Sequence, residues 1–151
     1  MNRRGFAILI TVLLLGLQWS AMAQQKDSQE RYQQINEQTE EIFEQVVEWR
    51  RHFHQNPELS NREEETAEYI AEYLRDLGMK VETGVAHTGV VGILEGDKEG
   101  PVVGLRADID ALPVKERADV PFKSTKTTTY LGKEVGVSHA CGHDTHIAML
   151  M

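Results

Sequence analysis

Residues 102–113 read VVGLRADIDALP, and this stretch sets the expected fold class. Val102, Val103 and Leu105 make the run apolar on both faces, the pattern of a strand buried inside a sheet. Two other short runs rich in valine and isoleucine precede it, at residues 80–83 and 90–95. Residues 96–100, GDKEG, read as a hairpin turn between the run at 90–95 and the one at 102–107. Further upstream, Ile35, Ile42, Phe43, Val46, Trp49 and Phe53 recur at helical spacing. That helix should close before Asn56-Pro57, because a residue preceding proline avoids the helical region. Ser60 and Glu63 fit a capping box opening a second helix. Its buried stripe would be Ala67, Ile70, Ala71, Leu74 and Leu77, and Gly78 would end it. Residues 113–138 read as loop, including the Thr-rich residues 124–129, and residues 147–151 as the start of a helix. Helices, then strands, then strand–loop–helix predict an α/β layer fold with a mixed sheet flanked by helices.

Chemistry is expected just past the buried strand, because open α/β sheets gather function at the carboxyl ends of their strands. Asp108 and Asp110 project on the same side if the strand continues. They could bind a cation or orient an imidazole, or they could cap the turn before Pro113. The second candidate is residues 139–146, HACGHDTH, which hold three of the six histidines and the only cysteine. In an extended segment His139, Cys141 and His143 would face one point, and Gly142 would let the backbone bend there. Imidazole and thiolate are the ligands that zinc prefers. Cys141 and His143 are therefore candidate metal ligands, with His139 and His146 in support, and Asp144 or a neighbouring carboxylate could fix an imidazole tautomer. Two other readings stay open. Cys141 could be a nucleophile activated by His143 or His139 in a cysteine-dependent hydrolase, or the chain could be a non-catalytic secreted metal-binding module. His52 and His54 lie near a helix C-terminus, where the dipole alone suffices to account for them.

The first residues have a different character. Arg3 and Arg4, an apolar run from Phe6 to Leu17 and Ala21-Met22-Ala23 read as a secretory signal peptide covering residues 1–23. Export to the periplasm or outside the cell follows, with no stable membrane anchor after cleavage. Residues 24–34 read as a frayed polar leader, and residues 35–151 as the folded part. The chain carries a formal charge of −8, and losing the two arginines of residues 1–23 makes it −10. Such an acidic chain argues against nucleic acid as a partner. One cysteine in an exported protein forms no internal disulfide.

Three segments together resemble one family. Arg50-Arg51-His52-Phe53-His54 leads into Pro57-Glu58-Leu59-Ser60. The other two are Arg106-Ala107-Asp108-Ile109-Asp110-Ala111-Leu112-Pro113 and the octet from His139 to His146. In this order they are similar to the clan MH metallopeptidase-type amidohydrolases, of the aminoacylase and carboxypeptidase kind. That group includes hippurate hydrolase and the hydrolases of indole-acetyl-amino acids. The resemblance implies that residues 35–151 are the N-terminal part of a metallohydrolase catalytic domain, with the lid and dimerisation domain absent. It implies two divalent ions in the complete enzyme, zinc first, with manganese, cobalt or nickel as alternatives. Cys141 would lie between the two ions, His143 would bind one of them, and Asp110 would orient a ligand. The reaction implied is hydrolysis of the amide bond of N-acyl amino acids or small peptides, in a parent enzyme that could be a homodimer. The family's glutamate base and remaining histidine ligands fall well after the cysteine motif, so this stretch alone should be inactive.

Overall fold

The computed structural model describes the backbone of residues 3–151, with side chains at Met22 and from Gln24 onward. Apart from Met22, the side chains on which the signal-peptide reading rests lie outside the described set. The elements are α1 (Arg3–Gln55), α2 (Glu64–Asp76), β1 (Lys80–Val85), β2 (Gly89–Ile93), β3 (Thr127–Tyr130), β4 (Lys133–Gly136) and α3 (His143–Leu150). Contacts divide the chain into residues 1–43 and residues 44–151.

In the first unit, residues 24–34 are helical rather than frayed. They contain no proline or glycine, and side chains one turn apart pair along the helix. Arg31 meets Asp27 at 2.7 Å, and the Gln33 amide donates to Glu37 at 2.9 Å. Ile35, Ile42 and Phe43 are more than half exposed, so the apolar stripe of α1 is buried only from Val46 onward.

In the second unit, Trp49 and Phe53 of α1 pack with Ile70 of α2 and with Ile147 and Ala148 of α3. The capping box at Ser60 does not form. Glu58 takes its place: its carboxylate accepts from the backbone N–H of Thr66 at 2.8 Å and of Glu65 at 3.3 Å. Glu63 is buried and accepts from the Thr88 hydroxyl instead. Helix α2 buries Ala67, Ile70 and Ala71, whereas Leu77 stays half exposed. Gly78 ends the helix as expected, at φ +78°, with its N–H on Arg75 and that of Met79 on Leu74.

The strands differ most from expectation. β1 pairs antiparallel with β2, and β3 with β4, as two separate two-stranded sheets. The β3–β4 hairpin lies where a loop was expected. Its threonines are β-branched, and Leu131-Gly132 turns with positive φ at both positions, the two-residue geometry that matches strand twist. Residues 102–107 form no strand, and Val102, Val103 and Leu105 stand 99, 76 and 78% exposed. Their both-faced apolar pattern needs neighbours on either side, and no described strand lies beside them. Residues 96–100 accordingly close no hairpin. The mixed helix-and-strand class holds, whereas the single mixed sheet is not formed by the described residues.

Candidate metal centre

The run after residue 107 is held from two sides. The Ala111 N–H donates to the Glu58 carbonyl at 2.7 Å, while Leu112 and Ser138 exchange backbone bonds at 3.0 and 3.1 Å. Leu59, Ala111 and Val137 bury one another there. This clasp brings Asp110 to the residues just before α3, thirty positions downstream.

The octet itself is a turn followed by a helix, not an extended segment. The Gly142 N–H closes the turn onto His139 O at 3.2 Å. Gly142 has φ +87°, which a side chain would strain, although no atom would block one. His143 opens α3 directly after it. The three-residue alignment expected for His139, Cys141 and His143 therefore does not form, because a left-handed residue breaks the alternation. Cys141 is exposed and His139 is buried.

His143 Nδ1 donates to the carbonyl of Asp110 at 2.9 Å and to its carboxylate Oδ1 at 3.0 Å. A carbonyl can only accept, so Nδ1 carries the proton and Nε2 is left as the ligating nitrogen. Nε2 stands 3.9 Å from Asp108 Oδ2. Arg106 binds the other Asp108 oxygen at 2.6 Å. That bond and the arginine charge hold the Asp108 carboxyl below its ordinary range. The His146 ring lies 5.4 Å from that of His143.

His139 is buried with neither ring nitrogen partnered among the described residues. Burial pushes its pKa down to about 4. An unpartnered buried polar group is expensive, on the order of 1–3 kcal/mol. Such a ring marks a place built for a partner.

Sequence reasoning missed a second cluster behind the first. Asp144, 1% exposed, accepts from His54 Nδ1 at 2.7 Å and from Arg50 Nε at 2.9 Å. His54 Nε2 donates to Glu116 at 2.9 Å. Glu116 also accepts from the backbone of Ala118 and Arg117, and these bonds, Ala118 first, with the histidine hold its carboxyl low. Asp144 thus serves His54 rather than an imidazole of the octet. Arg50 and His54 are four apart on one helix face, the signal that could have linked them. His52, in contrast, stacks on Tyr69 at 4.4 Å, away from the cluster, and burial lowers its pKa.

Among the described residues no group of three or more histidine, cysteine, aspartate and glutamate side chains is placed to hold a metal ion. What is present fits one part of such a site: an oriented imidazole nitrogen, a carboxylate facing it, an exposed thiol two residues earlier and an unpartnered buried imidazole.

Residues 104–151 match the family described as peptidase family M20/M25/M40. The chain is 49% identical over 120 residues to thermostable carboxypeptidase 2 of Saccharolobus solfataricus, covering 79% of this chain and 28% of that protein. It is 41% identical over 119 residues to the N-acyl-L-amino acid amidohydrolase of Geobacillus stearothermophilus, covering 79 and 30%. It superposes on the YXEP protein of Bacillus subtilis, described as a dinuclear metal binding peptidase from the M20 family. There the TM-score is 0.62 and the identity 36%, over 72% of this chain and 29% of that one. The chain thus spans under a third of the relatives it matches. Residues 104–151 are thus similar to peptidase family M20/M25/M40, and the relatives matched over the longer stretch are a carboxypeptidase and an amidohydrolase.

Proposed function

We propose that the complete enzyme containing this sequence is an exported, metal-dependent hydrolase that cleaves the amide bond of N-acyl amino acids or small peptides. Cys141 and His143 are two of its metal ligands, and Asp110 orients His143. The observation that carries this reading is the double acceptance from His143 Nδ1 by Asp110, which leaves Nε2 free beside Asp108. The carboxypeptidase and amidohydrolase relatives support the substrate class, and the dinuclear neighbour supports two divalent ions. Zinc suits a thiolate and imidazole donor set. When bound, the metal polarises the amide carbonyl and makes water more acidic.

The residues of this chain contribute position. Asp110 fixes the tautomer of His143 and the plane of its ring. Arg106 holds Oδ1 of Asp108, and the other carboxylate oxygen faces Nε2. Gly142 supplies the left-handed step between Cys141, which lies in the turn, and His143, which opens α3. Among the described residues none is placed as a general base, and the stretch alone is expected to be inactive. The exposed run of Val102, Val103 and Leu105 supports the same conclusion, since a bare apolar segment of that kind needs strands from elsewhere. Export rests on the composition of residues 1–23.

The test is hydrolysis of N-acetyl and N-benzoyl amino acids by the full-length enzyme, before and after chelation and after zinc is restored. Loss and recovery of turnover is the expected outcome. Turnover by chelated protein that is abolished only by thiol alkylation would replace this reading with a cysteine nucleophile at Cys141.

A further inference from the structure

We propose that the side-chain network Arg50–Asp144–His54–Glu116, buried at Asp144 and His54, is a positioning device for His143. The inference rests on the reading of His143 as a metal ligand. Asp144 is the next residue after His143 and lies in the same first helical turn. Its carboxylate has no freedom: it is 1% exposed and ties to two side chains of α1. His54 in turn bridges from Asp144 to Glu116, which is fixed by the backbone of residues 117 and 118. Phe122 closes the cluster, with the His54 ring 5.5 Å away and the Arg50 guanidinium 5.1 Å from its centroid.

The geometry explains why this matters for the neighbouring residue. Helix α3 opens from a left-handed glycine and has no side-chain cap of its own. Its first turn would otherwise be held on one side only, by the bond from His143 to Asp110. Successive helical residues project about 100° apart. Anchoring Asp144 to α1 therefore fixes the rotation of the turn and aims His143 toward Asp108 and Asp110. His54 touches neither the proposed ligand nor a reacting atom. It acts through Asp144.

The test uses full-length protein and cobalt(II) as the metal probe, with three variants. His54→Ala should weaken cobalt binding by roughly ten-fold, as loss of a supporting partner does. It should also move the His143 imidazole nitrogen signals in metal-free protein. His54→Gln, which can still donate one bond to Asp144, should recover part of both effects, and it carries the test if the alanine variant does not fold. Ala71→Gly, a buried change in α2 away from the cluster, serves as the control for lost stability alone and should leave both readouts unchanged. Unaltered His143 signals in both His54 variants, or equal effects in Ala71→Gly, would overturn the proposal. His143→Ala separates the two ideas. If it binds cobalt normally, the ligand reading fails, while the nitrogen signals of the His54 variants still decide whether His54 positions His143.

Discussion

Replacing Asp144 with alanine should destabilise the protein by about 3 kcal/mol. The carboxylate is 1% exposed and accepts charge-assisted bonds from His54 at 2.7 Å and Arg50 at 2.9 Å. Each such bond contributes roughly 1.5–3 kcal/mol when its partner is left unsatisfied. The two do not weigh equally. The Arg50 side chain is 36% exposed, so water takes over much of its bonding and its share is discounted. The His54 side chain is only 10% exposed and keeps one bond, to Glu116. Most of the loss therefore sits on the His54 side. Asp144→Asn retains an acceptor oxygen in nearly the same volume and should lose about half as much. Urea denaturation of full-length protein, followed by circular dichroism, measures both variants. The midpoint should fall while the slope stays constant. A loss below about 1 kcal/mol for Asp144→Ala would refute the claim that this cluster pins α3.

Phe53, 1% exposed among Trp49, Ile70 and Ile147, should lose about 3–5 kcal/mol on replacement by alanine, read by the same denaturation. Gly132→Ala, at φ +75° in the β3–β4 turn, should lose about 1 kcal/mol with no effect on metal binding, and a neutral result would contradict the turn geometry. His139 should titrate near pH 4 by NMR in the metal-free protein, against an ordinary 6.5. Between those values the unfolded chain binds the extra proton, so stability is full above pH 6.5 and declines as pH falls toward 4, by at most about 3 kcal/mol. A His139 pKa at or above 6.5 would contradict its burial.

Local rules carried the helices further than the strands. The proline at 57 and the glycine at 78 act through their own backbone geometry, so both helix ends were legible. Glu58 displaced Ser60 as the cap because its carboxylate returns from seven and eight residues upstream, a reach that a four-residue motif does not encode. Residues 102–107 carry the composition of a central strand, but pairing is decided by neighbours, and none of the described strands supplies one. The contact between Asp110 and His143 was within reach of the sequence because both lie in short chemically dense segments. Glu116 was not, since it stands in a featureless loop and gains its role only from the return of α1 at His54. The alternation rule also misplaced Cys141 and His139, because Gly142 and the turn before it end the extended geometry on which that rule depends.

The most direct test of the central claim is the metal content of full-length protein, purified without added chelator, beside Cys141→Ser and His143→Ala. The parent protein should carry bound divalent metal, zinc foremost, and both variants should show marked loss of it together with loss of amide hydrolysis. Metal-free parent protein with full thiol-dependent turnover would contradict it.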